Sequence, residues 1–309
     1  MQREGRVYKS TGSWYKVKDE DGVFWNCRMV GKMRKTKINT TNPIAVGDII
    51  YFTPENEDIL EGLIHEVGDR RNAILRKSIN LSKQVQIIAA NVDLCLLFVT
   101  LRDPQTTLGF IDRFMVSAKA FDVPTHLVFN KTDLYQEDKW FEKLAEYVSI
   151  YDGIGYPYHL LSIENGKGLE KLEKEIIGKR IILSGHSGTG KSSFVKALFP
   201  EIDIKIGETS VLHQKGKHTT TFAEMYDLGN EGTQLIDSPG IKSFGLVDVA
   251  KEELALYFPE FIKLLPDCKF HNCIHVNEPK CAVKEGVESG EITEERYHSY
   301  LKILEDFNE

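Results

Sequence analysis

The sequence predicts a multidomain protein that consists of a small β-barrel, a central α/β domain and a mostly helical C-terminal domain. Short strands broken by glycine fill the first part of the 309-residue chain. Apolar strands then alternate with amphipathic helices, which is typical of an α/β domain with a parallel sheet. The last part is helical and acidic and carries three of the five cysteines. We therefore expect domains at 1–70, 86–245 and 246–309, with a basic linker at 71–85.

The composition indicates a globular protein of the cytoplasm. Hydrophobic residues make up 41% and charged residues 28% of the chain, and no apolar run approaches the roughly 18 residues that a membrane span needs. The start, MQREGRVYKS, lacks the basic region and apolar core of a signal peptide. The net charge is −7, and residues 246–309 alone carry seven Lys/Arg against fourteen Asp/Glu. We expect a cytoplasmic monomer without a membrane partner.

Residues 4–66 contain five short strands in which polar and apolar side chains alternate, and no helical period competes with them. This pattern favours a five-stranded barrel of the OB type, a fold that binds nucleic acid on one face. The run RMVGKMRKTK holds five basic residues and no acidic one, namely Arg28, Lys32, Arg34, Lys35 and Lys37. They are our candidates for an RNA-binding surface. A solvated basic loop is the competing interpretation.

The middle of the chain alternates between strands and helices. Residues 92–99, VDLCLLFV, form a near-continuous apolar run, as in a strand buried on both faces. A helix is expected at 108–121, and a second amphipathic helix is expected to turn Trp140, Phe141, Leu144 and Val148 inward. Further strands are expected at 125–129, 156–161, 221–228 and 233–236, and short helices at 169–176 and 191–198.

A phosphate-binding loop lies between an apolar strand and a helix start. The sequence GHSGTGKS at 185–192 matches the pattern G-x-x-x-x-G-K-[ST], in which backbone N–H groups turn toward phosphate oxygens. We expect Lys191 to reach the β- and γ-phosphates and the Ser192 hydroxyl to complete a Mg²⁺ coordination sphere. The residues expected to line the nucleotide are Gly185, His186, Ser187, Gly188, Thr189, Gly190, Lys191, Ser192 and Ser193.

The motif Asn130-Lys131-Thr132-Asp133 at the end of a strand supplies what a guanine ring requires. The Asp133 carboxylate can accept hydrogen bonds from guanine N1–H and N2–H₂, whereas adenine offers no such pair of donors. Asn130 is expected to buttress the phosphate loop and contact N7, and the Lys131 stem is expected to lie along the ring. Ser162, at the end of the next strand, is expected to join this site.

Two further segments provide groups for the γ-phosphate and Mg²⁺. Asp237, in the DSPG sequence at a strand end, can hold the ion through water, and the Gly240 N–H can sense the γ-phosphate. Thr219 and Thr220 offer a hydroxyl to the ion, and we favour Thr220, with an error of one position. A run of three threonines also suits the start of a strand.

A cluster of cysteine and histidine residues lies near the C-terminus. Cys268, Cys273, His275 and Cys281 supply three thiolates and one imidazole, which is a closed tetrahedral set for a structural zinc ion. His271 is a rival ligand. Cys27 and Cys95 are more plausible as core residues.

The order of the motifs identifies a family. The guanine motif precedes the phosphate loop, and the GKHTTT run at 216–221 and the DSPG at 237–240 follow it. With a barrel before them and the C-x4-C-x-H-x5-C cluster after them, the chain resembles over nearly its whole length the circularly permuted GTPases called RsgA, YjeQ or YloQ. The resemblance implies an OB domain, a permuted GTPase domain, a zinc domain, and a role in late maturation of the small ribosomal subunit, with GTP/GDP and rRNA as partners.

The residue after DSPG bears on the rate of hydrolysis. It is Ile241, where many GTPases have a glutamine that orients the attacking water. We therefore expect slow turnover by the isolated protein and stimulation by the small subunit. His218, beside the threonines, is our candidate for the missing water-orienting group. A surface histidine in a basic loop is the competing interpretation. A GTP-sensing RNA-binding scaffold with negligible turnover is the alternative function, whereas an ATP-dependent enzyme conflicts with Asp133.

Overall fold

The computed structural model describes residues 1–31, 42–77, 85–201, 223–229, 231–237, 246 and 249–308, with the side chains of residues 76, 77 and 308 excepted. Within these ranges, no helix is both long and apolar enough to cross a membrane.

The N-terminal part is a closed five-stranded barrel, as expected. Its strands are β1 (Arg3–Ser10), β2 (Tyr15–Asp19), β3 (Phe24–Met29), β4 (Ile49–Asn56) and β5 (Glu61–Val67). They pair in the order β1-β2-β3-β5-β4, and pairing between β1 and β4 closes the barrel. Alternate side chains fill its interior, among them Val17, Trp25 and Phe52, because successive residues of a strand point to opposite faces.

The sequence predicted a basic linker at 71–85, and the described residues of this range include parts of two strands. Strand β6 (Ala73–Lys77) pairs antiparallel with β7 (Val85–Ala90) in a separate two-stranded sheet. Leu75 and Ile87 are buried in a small apolar cluster of their own. The segment therefore packs between the barrel and the next domain.

The central domain is built on five parallel strands flanked by helices. The strands are β8 (Leu94–Val99), β9 (Thr125–Phe129), β10 (Tyr158–Leu160), β11 (Arg180–Ser184) and β13 (Thr233–Asp237), in the order β10-β9-β8-β11-β13. The helices are α1 (Leu108–Ala120), α2 (Asp138–Gly153), α3 (Leu169–Ile176) and α4 (Lys191–Leu198). Strand β12 (Glu224–Leu228) pairs antiparallel with β13. The predicted alternation of strands and helices is confirmed.

One prediction for α2 is wrong. Trp140, Leu144 and Val148 pack against the core as expected, but the Phe141 side chain is 65% exposed. Tyr147, Ile150 and Tyr151 provide the fully buried face instead. The helix is set deeper at its C-terminal end, so its first turn leaves Phe141 in solvent.

The barrel and the central sheet are joined through β1 and β12. Lys9 pairs with Glu224 in the strand register, and their side chains form an ion pair at 2.7 Å. The Tyr8 hydroxyl donates to Asp227 Oδ1 at 2.6 Å. One sheet of eleven strands therefore runs from the barrel into the central domain.

The C-terminal part is mostly helical and packs on α1. A 3₁₀ helix (Lys251–Tyr257) precedes α5 (Pro259–Ile262), α6 (Ala282–Glu288) and α7 (Glu294–Glu305). Its apolar cluster includes Leu254, Phe258, Phe261 and Tyr300, and also Val116 from α1. The central domain thus contributes to the core of the C-terminal domain.

Candidate nucleotide site and metal centre

The predicted nucleotide residues follow neighbouring strands of the parallel sheet. Parallel strands present their carboxyl ends at one edge, which is where ligands bind in open α/β sheets. The phosphate loop follows β11, the guanine motif follows β9, Ser162 follows β10, and Asp237 ends β13. The sheet order therefore gathers these four segments at one edge.

Two glycines give the phosphate loop its shape. Gly185 has φ +127°, and a Cβ there would lie 2.3 Å from the Phe98 carbonyl oxygen. Gly190 has φ +101°, and a Cβ there would lie 2.1 Å from Asn130 Nδ2. Only glycine fits both the left-handed backbone and these close approaches. The phosphate loop and the guanine motif are thus in direct van der Waals contact at Gly190.

Lys191 is oriented by the loop that it follows. Its Nζ donates to the carbonyl oxygens of Gly185 at 2.8 Å and His186 at 2.6 Å. Lys191 is also the first residue of α4, so the positive end of the helix dipole lies beside its ammonium group. This arrangement concentrates positive charge where phosphate oxygens are expected.

Asn130 ties the guanine motif to the phosphate loop. Its Nδ2 donates to the Thr189 carbonyl oxygen at 2.8 Å, and the side chain is 2% exposed. The buried Oδ1 has no hydrogen-bond partner among the residues with described positions. The hydrogen bond from Nδ2 thus joins the guanine motif to the phosphate loop, as the expected buttressing role requires.

Ser162 fixes the carboxylate of Asp133. Its hydroxyl donates to Asp133 Oδ1 at 2.6 Å, which orients the carboxylate. Lys131 adopts a left-handed backbone (φ 65°), and its Nζ donates to the Asp103 carbonyl oxygen. Because that acceptor is a backbone atom, no side-chain pattern in the sequence could have indicated it. Pro104, the next residue, lies against Gly188 of the phosphate loop.

The structure brings together the predicted residues of 130–133 and 185–193 and Ser162, with Asp237 at the end of a neighbouring strand. His218, Thr219, Thr220, Gly240, Lys32, Arg34, Lys35 and Lys37 lie outside the described residues. Arg28 is described: it is exposed on β3 and forms an ion pair with Glu55 at 3.0 Å. An acidic partner thus shares its charge, which the basic run in the sequence did not indicate.

The four predicted metal ligands converge. One ligand atom from each of Cys268, Cys273, His275 and Cys281 lies within 4.8 Å of the others, and this group could hold a metal ion. His275 Nδ1 is 3.3 Å from Cys281 Sγ and 3.7 Å from Cys268 Sγ. His271, the rival ligand, is exposed and is not part of the group. Three sulfurs and one nitrogen match the donor set of a structural zinc site.

Hydrogen bonds within the protein also hold the backbone around the cluster. The Glu278 carboxylate accepts from the N–H groups of Ile274 and Val276, each at 2.9 Å. The Tyr297 hydroxyl donates to the His275 carbonyl oxygen at 2.6 Å. These contacts attach the ligand loop to α7.

The other two cysteines are core residues, as expected. Cys27 and Cys95 are each 0% exposed. Burial raises the pKa of both thiols to about 12. They are therefore protonated at neutral pH and neither reactive nor metal-binding.

Two family models and several relatives match the chain. The family model for the RsgA GTPase matches residues 67–247, and the model for the RsgA N-terminal domain matches residues 4–64. The chain is similar to the small ribosomal subunit biogenesis GTPase RsgA of Christiangramia forsetii, with 50% identity over 98% of this chain and 96% of that protein. It is also similar to the protein of the same name from Flavobacterium psychrophilum, with 52% identity over 99% of this chain and 93% of the relative.

Two solved structures are similar along the whole chain. YjeQ from Thermotoga maritima matches with a TM-score of 0.79 and 34% identity, covering 99% of this chain and 98% of its own. YloQ, described as a circularly permuted GTPase, matches with a TM-score of 0.74 and 28% identity, covering 100% of this chain and 96% of its own.

Proposed function

The chain belongs to the RsgA family of circularly permuted GTPases, and from this premise we propose that it hydrolyses GTP to bind and leave the small ribosomal subunit during late maturation. The observation that carries the proposal is the pairing of two motifs that are distant in sequence. Asn130 bonds the phosphate loop while Ser162 fixes Asp133. A site for triphosphate and a site for guanine are thereby built as one unit.

Guanine selectivity is assigned to Asp133. The carboxylate, oriented by the Ser162 hydroxyl, accepts from guanine N1–H and N2–H₂. An adenine ring would leave this acceptor unmatched once the base covers it, which is how hydrogen bonding gives strong discrimination between bases. Lys131 is assigned to the ring face and Asn130 to N7.

Magnesium is assigned to Ser192 and Asp237, with Thr220 or its neighbour Thr219 added when a triphosphate is bound. Hydroxyl and carboxylate oxygens are the ligands that Mg²⁺ prefers, and the ion neutralises charge on the β- and γ-phosphates. The cluster of Cys268, Cys273, His275 and Cys281 is assigned one structural zinc ion, because no open position remains for a catalytic water.

We assign hydrolysis to residues around the γ-phosphate. Lys191 stabilises charge on the phosphates, the Gly240 N–H contacts the γ-phosphate, and His218 orients the attacking water in place of the glutamine that Ile241 replaces. The isolated protein therefore turns over slowly, and the small subunit stimulates it. The roles of Gly240 and His218 rest on their places in the sequence.

The barrel is assigned the contact with rRNA, through Arg28, Lys32, Arg34, Lys35 and Lys37. Five positive charges within ten residues suit a phosphate backbone, and the OB fold is a common carrier of such surfaces. The protein is proposed to act as a cytoplasmic monomer.

Nucleotide selectivity tests the proposal. Binding of a fluorescent GDP should be displaced by GTP but not by ATP at comparable concentrations. Asp133→Asn should lose guanine selectivity and gain affinity for xanthine nucleotides, because the Asn amide can donate to the xanthine O2 that replaces N2–H₂. Displacement by ATP as effective as by GTP, or an Asp133→Asn protein that keeps its preference for guanine, would refute the assignment.

A further inference from the structure

Helix α1 is the element on which the nucleotide site and the C-terminal domain meet. On one face, Ile111 and Phe114 pack into the core of the central domain. On another face, Val116 belongs to the apolar cluster of the C-terminal domain, together with Leu254 and Phe258. Two domains thus bury the same helix, and a shift of one is transmitted to the other through it.

The first turn of α1 touches the phosphate loop. The Phe110 ring packs on the His186 ring, with centroids 4.1 Å apart and planes at 34°. The His186 carbonyl oxygen accepts hydrogen bonds from Lys191 Nζ at 2.6 Å and from Thr189 Oγ1 at 2.9 Å. The position of α1 therefore affects the backbone group that orients Lys191.

Asp112 lies two residues after Phe110 on α1 and forms a hydrogen bond with the C-terminal domain. Arg296 of α7 donates from Nη1 to Asp112 Oδ1 at 2.6 Å, and the Tyr151 hydroxyl donates to the same oxygen at 2.6 Å. Arg296 also binds Glu260 through Nε at 2.7 Å and Nη2 at 3.2 Å. Arg296 is 1% exposed and Asp112 is 0% exposed, so all of this charge lies inside the protein.

This buried network is better suited to fixing one geometry than to adding stability. Replacing a whole buried ion network with apolar residues is often neutral or stabilising, whereas removing one partner is strongly destabilising because it leaves the other charge buried and unpaired. Asp112 Oδ2 is buried without a partner among the residues that the structure describes, so the network is not fully satisfied. Although burial lowers the pKa of Arg296, Asp112 and Glu260 raise it far above the usual range, and the guanidinium keeps its charge.

We propose that Arg296 is a positioning residue for the nucleotide site. It holds α1 through Asp112, and α1 holds the phosphate loop through Phe110 and His186. The proposal rests on the proposed GTP-binding role of that loop. It gives the C-terminal domain a part in nucleotide affinity, in addition to any contact that this domain makes with the ribosomal subunit.

Two variants at opposite ends of this chain of contacts test the proposal. Asp112→Asn weakens the hold on Arg296 but keeps the side-chain volume and an acceptor for Tyr151, and Phe110→Leu removes the ring contact but keeps an apolar side chain. Each should raise the KM for GTP about threefold to tenfold, and kcat should stay within about twofold. Because both act through one helix, the double variant should raise KM no more than the larger single effect.

A matched control is available in the exposed ion pair between Arg113 of α1 and Asp306. Asp306→Asn removes this pair, which also joins α1 to the C-terminal domain, and should leave KM unchanged. If Asp112→Asn does not fold, Arg296→Lys replaces it in the comparison of single and double variants. A lysine keeps the charge but cannot contact Asp112 and Glu260 at the same time with the geometry of a guanidinium.

Additive effects of the two variants on KM would overturn the proposal, as would an Asp112→Asn protein with a lower melting temperature but an unchanged KM. A wild-type protein that does not bind GTP would instead refute the proposed function, so the two failures are distinguishable.

Discussion

Gly190 is the residue at which the phosphate loop meets Asn130 of the guanine motif. We predict that Gly190→Ala lowers the affinity for GDP by about tenfold or more, because a left-handed backbone costs a non-glycine residue about 1–3 kcal/mol and the new Cβ would lie 2.1 Å from Asn130 Nδ2. Titration with a fluorescent GDP measures the effect. Gly290→Ala is the control: its φ is +79° but nothing lies within 4 Å, so it carries the same strain without the collision and should bind GDP normally. Equal affinities in the two variants would contradict the prediction.

Ser162 donates a hydrogen bond to Asp133, the residue proposed to select guanine. We predict that Ser162→Ala weakens GDP binding by about tenfold, since a hydrogen bond to a charged group contributes about 1.5–3 kcal/mol, and that it reduces the preference for GTP over ATP. Thr132→Val is the matched control, because it removes a hydroxyl of the same loop that bonds the Leu161 carbonyl oxygen rather than Asp133. If both variants lose affinity equally, Ser162 supports the loop in general and not the carboxylate.

Side chains with a distinctive chemistry were predictable one by one. Asn130, Asp133 and Lys191 could be recognised in the sequence because phosphate and guanine require fixed residue types at fixed spacings. The contact between Lys131 and the Asp103 carbonyl could not be recognised, since every residue carries a carbonyl. The role of Asp112 was also missed. The helical period of α1 indicated the apolar face of the helix, but it does not show that a second domain covers the polar face.

Strands β9 and β10 carry a pair of histidines that makes stability depend on pH. His126 Nδ1 lies 3.1 Å from His159 Nε2. Burial, together with the charges of His126, Lys171 and Lys179, lowers the pKa of His159 to about 4, although Glu175 acts in the opposite direction. The folded pKa is below the unfolded value of about 6.5. The contribution to stability is therefore complete above pH 6.5 and is lost as the pH falls toward 4.

We predict that the melting temperature falls between pH 6.5 and pH 4, and that the fall is shallower in His159→Gln, which cannot take up a proton. Thermal unfolding followed by circular dichroism at several pH values measures this difference. His298→Gln, at an exposed histidine of α7, should reproduce the wild-type profile. A His159→Gln profile parallel to that of the wild type would show that this pair does not control the acid response.

The loop between α5 and α6 carries all four predicted metal ligands. We predict that Cys281→Ser lowers the bound zinc from about one ion per chain to a small fraction and lowers the melting temperature, because metal binding in such a loop is folding free energy. Metal analysis of the purified protein checks this. Cys27→Ala, at a cysteine inside the barrel, should keep the full metal content. Full zinc in Cys281→Ser would remove this cysteine from the ligand set.

Helices and strands were predictable where a single period of apolar residues, helical or alternating, dominates the sequence. The five barrel strands, α1, α3 and α4 lie where alternation or helical spacing placed them. The hairpin of β6 and β7 was not foreseen, because its basic residues resemble those of a linker. Phe141 was placed inward although it is exposed, since helical spacing fixes the apolar stripe of a helix but not how deeply each turn is set.

On the scale of the whole molecule, both flanking domains contact the nucleotide-binding domain through elements next to the site. The barrel is joined to β12, which precedes the strand that ends at Asp237, by contacts of Lys9 and Tyr8. The C-terminal domain is joined to α1. A partner that binds either domain therefore acts on an element next to the candidate site, which provides a physical route for the proposed stimulation by the small subunit.

The measurement that tests the account most directly is phosphate release from GTP and from ATP, with and without purified small ribosomal subunits. The account predicts slow release from GTP alone, stimulation of at least about tenfold by the subunit, and no comparable response with ATP. His218→Ala should bind the subunit but lose the stimulation. Subunit binding without stimulation of the wild-type protein, or equal stimulation with ATP, would contradict the account.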